Sequence, residues 1–111
     1  MSKEFLNGRN ALIVNLCGEL DHHSSEEVRV KIDDRIDRDN IRKVILDFNG
    51  ISFMDSSGIG VVVGRYKKIK SKDGELCIVN VGKRINRVFE LSGIFKIIDN
   101  YEDMSEALKC I

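Results

Sequence analysis

The run Lys43-Val44-Ile45-Leu46-Asp47-Phe48 is nearly continuous in apolar character. A strand of that kind is buried on both faces, as in a parallel sheet covered by helices. Asn49-Gly50 is read as its end. After Phe53-Met54 the chain passes through Asp55-Ser56-Ser57 into an amphipathic segment that reaches Lys67. The order is strand, turn, helix N-terminus.

Asp55, Ser56 and Ser57 are all of the residue types that cap helices, because their side-chain oxygens accept from the unpaired N–H groups of the first turn. One of them suffices as the cap. A spare serine beside it sits at the positive end of the helix dipole, where added negative charge is tolerated by the fold. Spacing alone does not separate a simple cap from a serine that carries a phosphate.

The helix that follows is built from poor helix formers. Gly58, Gly60, Gly64 and the Val61-Val62-Val63 run disfavour it by about 3 kcal/mol relative to alanine. Packing must therefore hold it, and Ile59, Val62, Val63, Tyr66 and Ile69 fall at helical spacing as its buried stripe. The three glycines then call for another reason, the close approach of a second backbone or of a partner surface.

A chain of 111 residues bounds the answer to one domain with one core, taken as residues 1–111. Lysine plus arginine and aspartate plus glutamate number 18 each, so no overall field points to nucleic acid or an acidic membrane as partner. The longest apolar stretches fall far short of the roughly 18 residues of a membrane span, and the N-terminus lacks the apolar core of a signal peptide. A cytoplasmic protein is expected. Cys17, Cys77 and Cys110 are odd in number, and two lie in apolar runs, so they are read as reduced and mostly buried.

Asn7-Gly8 between Phe5-Leu6 and the run Ala11 to Cys17 signals a tight hairpin. Gly18 to His23 forms a loop, and Ser24 with Glu27 gives a capping-box pattern for a helix whose buried side is Val28, Ile32 and Ile36. Asp33, Asp34, Arg35, Asp37, Arg38 and Asp39 are assigned to its solvated face and exit. Leu76 to Val81 is a strand, and Ile85, Val88 and Phe89 mark a third helix closed by Gly93. Ile94 to Ile98 is read as an edge strand, and Asp103 to Lys109 as a short helix with Met104, Ala107 and Leu108 on one side. The sum is an α/β domain: a mixed, mostly parallel sheet opened by an antiparallel hairpin, with about four helices. Loops at the carboxyl ends of the parallel strands form the functional edge. That edge takes the Asp55-Ser56 turn and, beside it, the Asp21–His23 loop.

Catalytic and metal readings find little support. Adjacent His22 and His23 point different ways and have no third ligand at metal-site spacing. Ser56 lacks the Gly-x-Ser-x-Gly elbow, since Met54 and Asp55 precede it. Gly58-x-Gly60-x-x-x-Gly64 misses the dinucleotide fingerprint by one position. No catalytic residue, metal or cofactor is assigned, and a contact role suits the histidine loop.

Phe53-Met54-Asp55-Ser56-Ser57-Gly58-Ile59-Gly60, extended through Gly64-Arg65-Tyr66-Lys67, resembles the phosphorylation-site signature of the bacterial anti-sigma-factor antagonists, whose fold is the STAS domain. Gly18-Glu19-Leu20-Asp21-His22-His23 and Arg87 to Ile98 are similar to the versions in the sporulation branch of that family. The likeness runs over nearly the whole chain. It implies a non-catalytic partner switch. The unphosphorylated protein binds an anti-sigma factor that is also an ATP-dependent serine kinase and frees a sigma factor. The kinase phosphorylates the serine matching Ser56, and a PP2C-type phosphatase restores the binding form. The docking surface so implied comprises Asp21, His22, His23, Asp55, Ser56, Ser57, Gly58, Ile59, Gly60 and Gly64, on a protein expected to be monomeric when free. An antagonist of another sigma pathway, such as general stress, is the alternative within the family.

Overall fold

A computed structural model describes residues 2–6 and 11–111, the former by backbone alone. In chain order the elements are β1 (Ser2–Leu6), β2 (Ala11–Leu20), α1 (Ser25–Arg38), β3 (Lys43–Met54), α2 (Ser56–Lys70), β4 (Glu75–Val79), α3 (Lys83–Ser92), a 3-10 turn (Ile94–Lys96), β5 (Asp99–Tyr101) and α4 (Met104–Cys110). The strands lie side by side in sequence order. The body of the sheet, β2 to β5, is parallel throughout, and only β1 runs antiparallel, with Ser2 opposite Asn15 and Leu6 opposite Ala11. This corrects the weight given to an opening hairpin: the four strands that carry the core are all parallel. The Asn7-Gly8 turn lies outside the described residues.

Period-two alternation divides the apolar residues between two faces. Leu12, Val14, Leu16, Val44, Leu46, Phe48, Leu76 and Ile78 pack with Ile32 and Ile36 of α1, Val62 and Ile69 of α2, and Ile85 and Phe89 of α3. Phe48 meets Phe89 edge to face at 5.1 Å. The opposite face is thinner: Ile13, Ile45, Cys77 and Val79 pack under Ala107 of α4, with Met104 and Leu108 beside it. The central strand is thus buried on both sides, as its apolar run requires.

β2 and β3 both run past their expected ends, to Leu20 and Met54. Asn49-Gly50 is no stop. The parallel ladder shifts register between Asn15 and Cys17, and a Cβ at Gly50 would stand 2.8 Å from the Leu16 carbonyl. The glycine admits a close backbone approach inside the strand pair. Gly18, at φ 82°, sits beside a second shift between Gly18 and Glu19, in backbone where only glycine is free of strain.

Three further expectations change. Ile94 to Ile98 is not a strand: Gly93, at φ 76°, turns the chain after α3 as expected, but the Ile98 N–H then donates to the Ile94 carbonyl at 3.0 Å. Ile94 and Ile98, four apart, bury together on the core side, and β5 is the shorter Asp99–Tyr101. Ser24 precedes α1 but forms no capping box, because its hydroxyl is engaged with Glu19 and Asp21; Glu27 pairs with Lys31 at 2.8 Å instead. Of the three thiols only Cys77 is buried, its pKa pushed up to about 12 chiefly by desolvation, whereas Cys17 and Cys110 are exposed.

Candidate functional site

β2 and β3 end together, Leu20 opposite Met54, so the loop into α1 and the turn into α2 leave the same edge side by side. The Asp55 N–H reaches the Leu20 carbonyl at 3.4 Å. Asp55 is the cap of α2: its backbone is extended and Oδ1 accepts from the Ser57 N–H at 2.8 Å. Its Oδ2 accepts from the His22 N–H of the neighbouring loop at 3.3 Å.

With Asp55 as cap, Ser56 becomes the first residue of α2 and is exposed. Among the described residues its hydroxyl makes no hydrogen bond, and neither imidazole reaches it. It is a free nucleophilic oxygen at the positive end of a fifteen-residue helix. Ser57 is half-buried.

Gly58 explains how the helix start is seated. A Cβ there would lie 2.8 Å from Met54 Sδ and 3.0 Å from the Leu20 carbonyl. The expected close approach is therefore intramolecular at this glycine. At Gly60 and Gly64 a Cβ would meet nothing within 4 Å, so no part of the chain crowds them. Ile59 is half-buried against the main core.

The Asp21–Ser24 loop closes on itself. Asp21 Oδ1 accepts from the N–H groups of His23 at 2.9 Å and Ser24 at 3.1 Å. The Ser24 hydroxyl donates to the Glu19 carbonyl at 2.7 Å and accepts from the Asp21 N–H at 3.0 Å. Hydrogen bonds, led by that from the Ser24 N–H, hold the Asp21 carboxyl below its ordinary value against the opposing effect of lost hydration. His22 and His23 are exposed, their rings edge to face at 5.7 Å.

The packing of α2 departs from the expected stripe. Val62 and Ile69 are fully buried, while Ile59, Val63 and Tyr66 are only half so. Arg65 is buried at 7% exposure, its Nε 2.7 Å from Asp33 Oδ1 on α1. Burial pushes the Arg65 guanidinium below its ordinary value, and the Asp33 charge pulls it back. Asp33, assigned to the solvated face, instead ties α1 to α2. The available signal was its place next to Ile32, on the rim of the buried stripe.

The fold is a small α/β domain with an exposed serine at the edge where β2 and β3 end. The family model for the STAS domain matches residues 4–107. The anti-sigma F factor antagonist of Paenibacillus polymyxa is 44% identical over 100 residues, 90% of this chain and 86% of that one. The anti-sigma-B factor antagonist of Bacillus subtilis (strain 168) is 34% identical over 90 residues, 81% of each chain. Solved structures of the anti-sigma factor antagonist SpoIIAA are 31% identical to this chain. The unphosphorylated form superposes with a TM-score of 0.75, covering 96% of this chain and 92% of that one, and the phosphorylated form with 0.72, covering 97% of each. The chain belongs to the STAS domain family, and within it to the anti-sigma factor antagonists, which are regulatory rather than catalytic. Among the described residues no helix is long and apolar enough to cross a membrane.

Proposed function

We propose that this chain is the anti-sigma factor antagonist of a sporulation switch, working as a monomer in the cytoplasm. Unphosphorylated, it binds an anti-sigma factor that is also an ATP-dependent serine kinase and so frees the sigma factor. Phosphorylation of Ser56 ends binding, and a PP2C-type phosphatase restores it. The observation that carries this reading is the division of labour in the turn: Asp55 takes the cap, and the Ser56 hydroxyl is left exposed and unbonded.

A phosphate adds about 1.5 to 2 negative charges at neutral pH. On Ser56 it would stand next to the Asp55 carboxylate, on the edge that also carries His22 and His23. The helix N-terminus accommodates that charge within the fold. A partner seated over Ile59, Gly60 and Gly64, with Gly58 buried beneath, would face added bulk, desolvation and repulsion, which are worth several kcal/mol at an interface, with each ~1.4 kcal/mol a tenfold loss of affinity.

The sporulation pathway is preferred because the relative named for sigma F is 44% identical and the relative named for sigma B 34%. Pull-down with each of the two anti-sigma factors decides between them. The primary test is incubation with the kinase and ATP, followed by mass spectrometry read to residue level. A single phosphate on Ser56 is expected. A phosphate on Ser57, or none, would overturn the reading.

A further inference from the structure

A helix cap requires one acceptor oxygen, and Asp55 uses Oδ1 for it, on the Ser57 N–H. Its Oδ2 is spent elsewhere, on the His22 N–H at 3.3 Å, across 33 residues of sequence. The Asp21–Ser24 loop satisfies itself through Asp21 Oδ1 and the Ser24 hydroxyl. Among the described residues, the bond from His22 to Asp55 is the one hydrogen bond that joins residues 21–24 to residues 55–58. The paired strand ends and the Asp55 N–H on the Leu20 carbonyl set the two loops side by side, and among the described residues the Asp55 carboxylate is the one side chain that then ties one loop to the other.

We propose that Asp55 is a positioning residue for partner binding, its second oxygen fixing the His22–His23 loop against the Ser56 turn so that both meet the anti-sigma factor as one preformed surface. The inference rests on the docking role proposed above. Its physical basis is that a loop already held in its bound position loses less freedom on association than one that must be ordered there.

Asp55→Asn isolates the effect. Asparagine caps as well as aspartate, so Oδ1 still serves Ser57, but the amide nitrogen that replaces Oδ2 is a donor and faces another donor at His22. In the free chain, amide exchange by NMR should quicken at His22 and stay unchanged at Ser57. Affinity for the cognate anti-sigma factor, by calorimetry, should fall about tenfold, the order of one hydrogen bond to a charged group. With His22 and His23 both replaced by alanine, the same Asp55→Asn change should have little further effect, because positioning a loop that makes no contact brings nothing.

Unchanged exchange at His22, or wild-type affinity despite a freed His22 amide, would overturn the inference. So would an undiminished loss in the double-alanine background, which would mean that Asp55 touches the partner directly. These results differ from a failure of the docking role itself, in which the wild-type chain would bind no anti-sigma factor at all.

Discussion

The glycines of α2 lend themselves to a quantitative test, because three residues of one type in one helix have opposite surroundings. A Cβ at Gly60 or Gly64 enters open space, so alanine at either position gains helix propensity and meets no neighbour. That gain is about 0.8–1 kcal/mol each. Together the two changes amount to about 2 kcal/mol, and at roughly 4 °C per kcal/mol for a domain of this size Tm should rise by about 8 °C. At Gly58 the same methyl meets buried Met54 and the fixed Leu20 carbonyl, and overpacking of that kind costs about 1–3 kcal/mol, which cancels or exceeds the gain. Urea melts of the three single variants measure this, with an unchanged m-value showing that the denatured state is not the cause. Gly60→Ala and Gly64→Ala should be more stable than the wild type, and Gly58→Ala should not. If Gly60→Ala loses stability, the account of α2 as a weak helix held only by packing is wrong. On the proposed function, Gly60→Ala should also bind the anti-sigma factor less well while being more stable, since the open backbone is where the partner approaches.

Ser56→Ala should bind the anti-sigma factor as the wild type does and take up no phosphate, whereas Ser56→Asp should bind at least tenfold more weakly in a titration. Asp33→Ala leaves Arg65 buried without its countercharge and should lower unfolding free energy by about 2 kcal/mol, toward the low side for a buried pair because Asp33 keeps some contact with water; Arg65→Met, which removes the charge itself, should lower it less in the same chemical denaturation. The Asp21 carboxyl has its folded value below the ordinary 3.8, so its contribution to the loop is complete above that value and is lost as the pH falls through the lowered one. An NMR titration should therefore show the His23 and Ser24 amides holding their positions down to about pH 4 and shifting only in more acidic solution.

Much of the fold was legible because it rests on patterns within single elements. The apolar run from Val44 to Phe48 required cover on both faces, and the glycine at 93 and the aspartate, serine and serine at 55–57 marked helix ends by their chemistry. Which of the three would cap was not legible, since all three can supply the oxygen. Asp55 takes that role, with extended backbone just before the first helical residue, and its other oxygen meets a donor from a loop 33 residues away. The same limit explains Ser24, whose hydroxyl was claimed by Glu19 and Asp21 before Glu27 could answer it. Asp33 and Arg65 look like surface charges when each helix is read alone, and become a buried pair only where α1 and α2 cross. Ile94 to Ile98 is ambiguous for a different reason: a short apolar segment fits either period, and the four-residue spacing of its two buried isoleucines outweighs the run.

The uneven clothing of the sheet has a dynamic consequence. Its second face depends on α4, seven residues with a single fully buried side chain, Ala107, and a helix that short does not persist alone in water. Detachment of α4 should be the cheapest excursion available to the molecule, seen as the earliest exchange of backbone hydrogens among its helices. The helix ends beside Lys43, whose ammonium meets the Ile111 carbonyl at 2.7 Å where β3 begins, while Ser56 follows the far end of that strand. Breathing at α4 is thereby kept a strand's length away from the Ser56 turn.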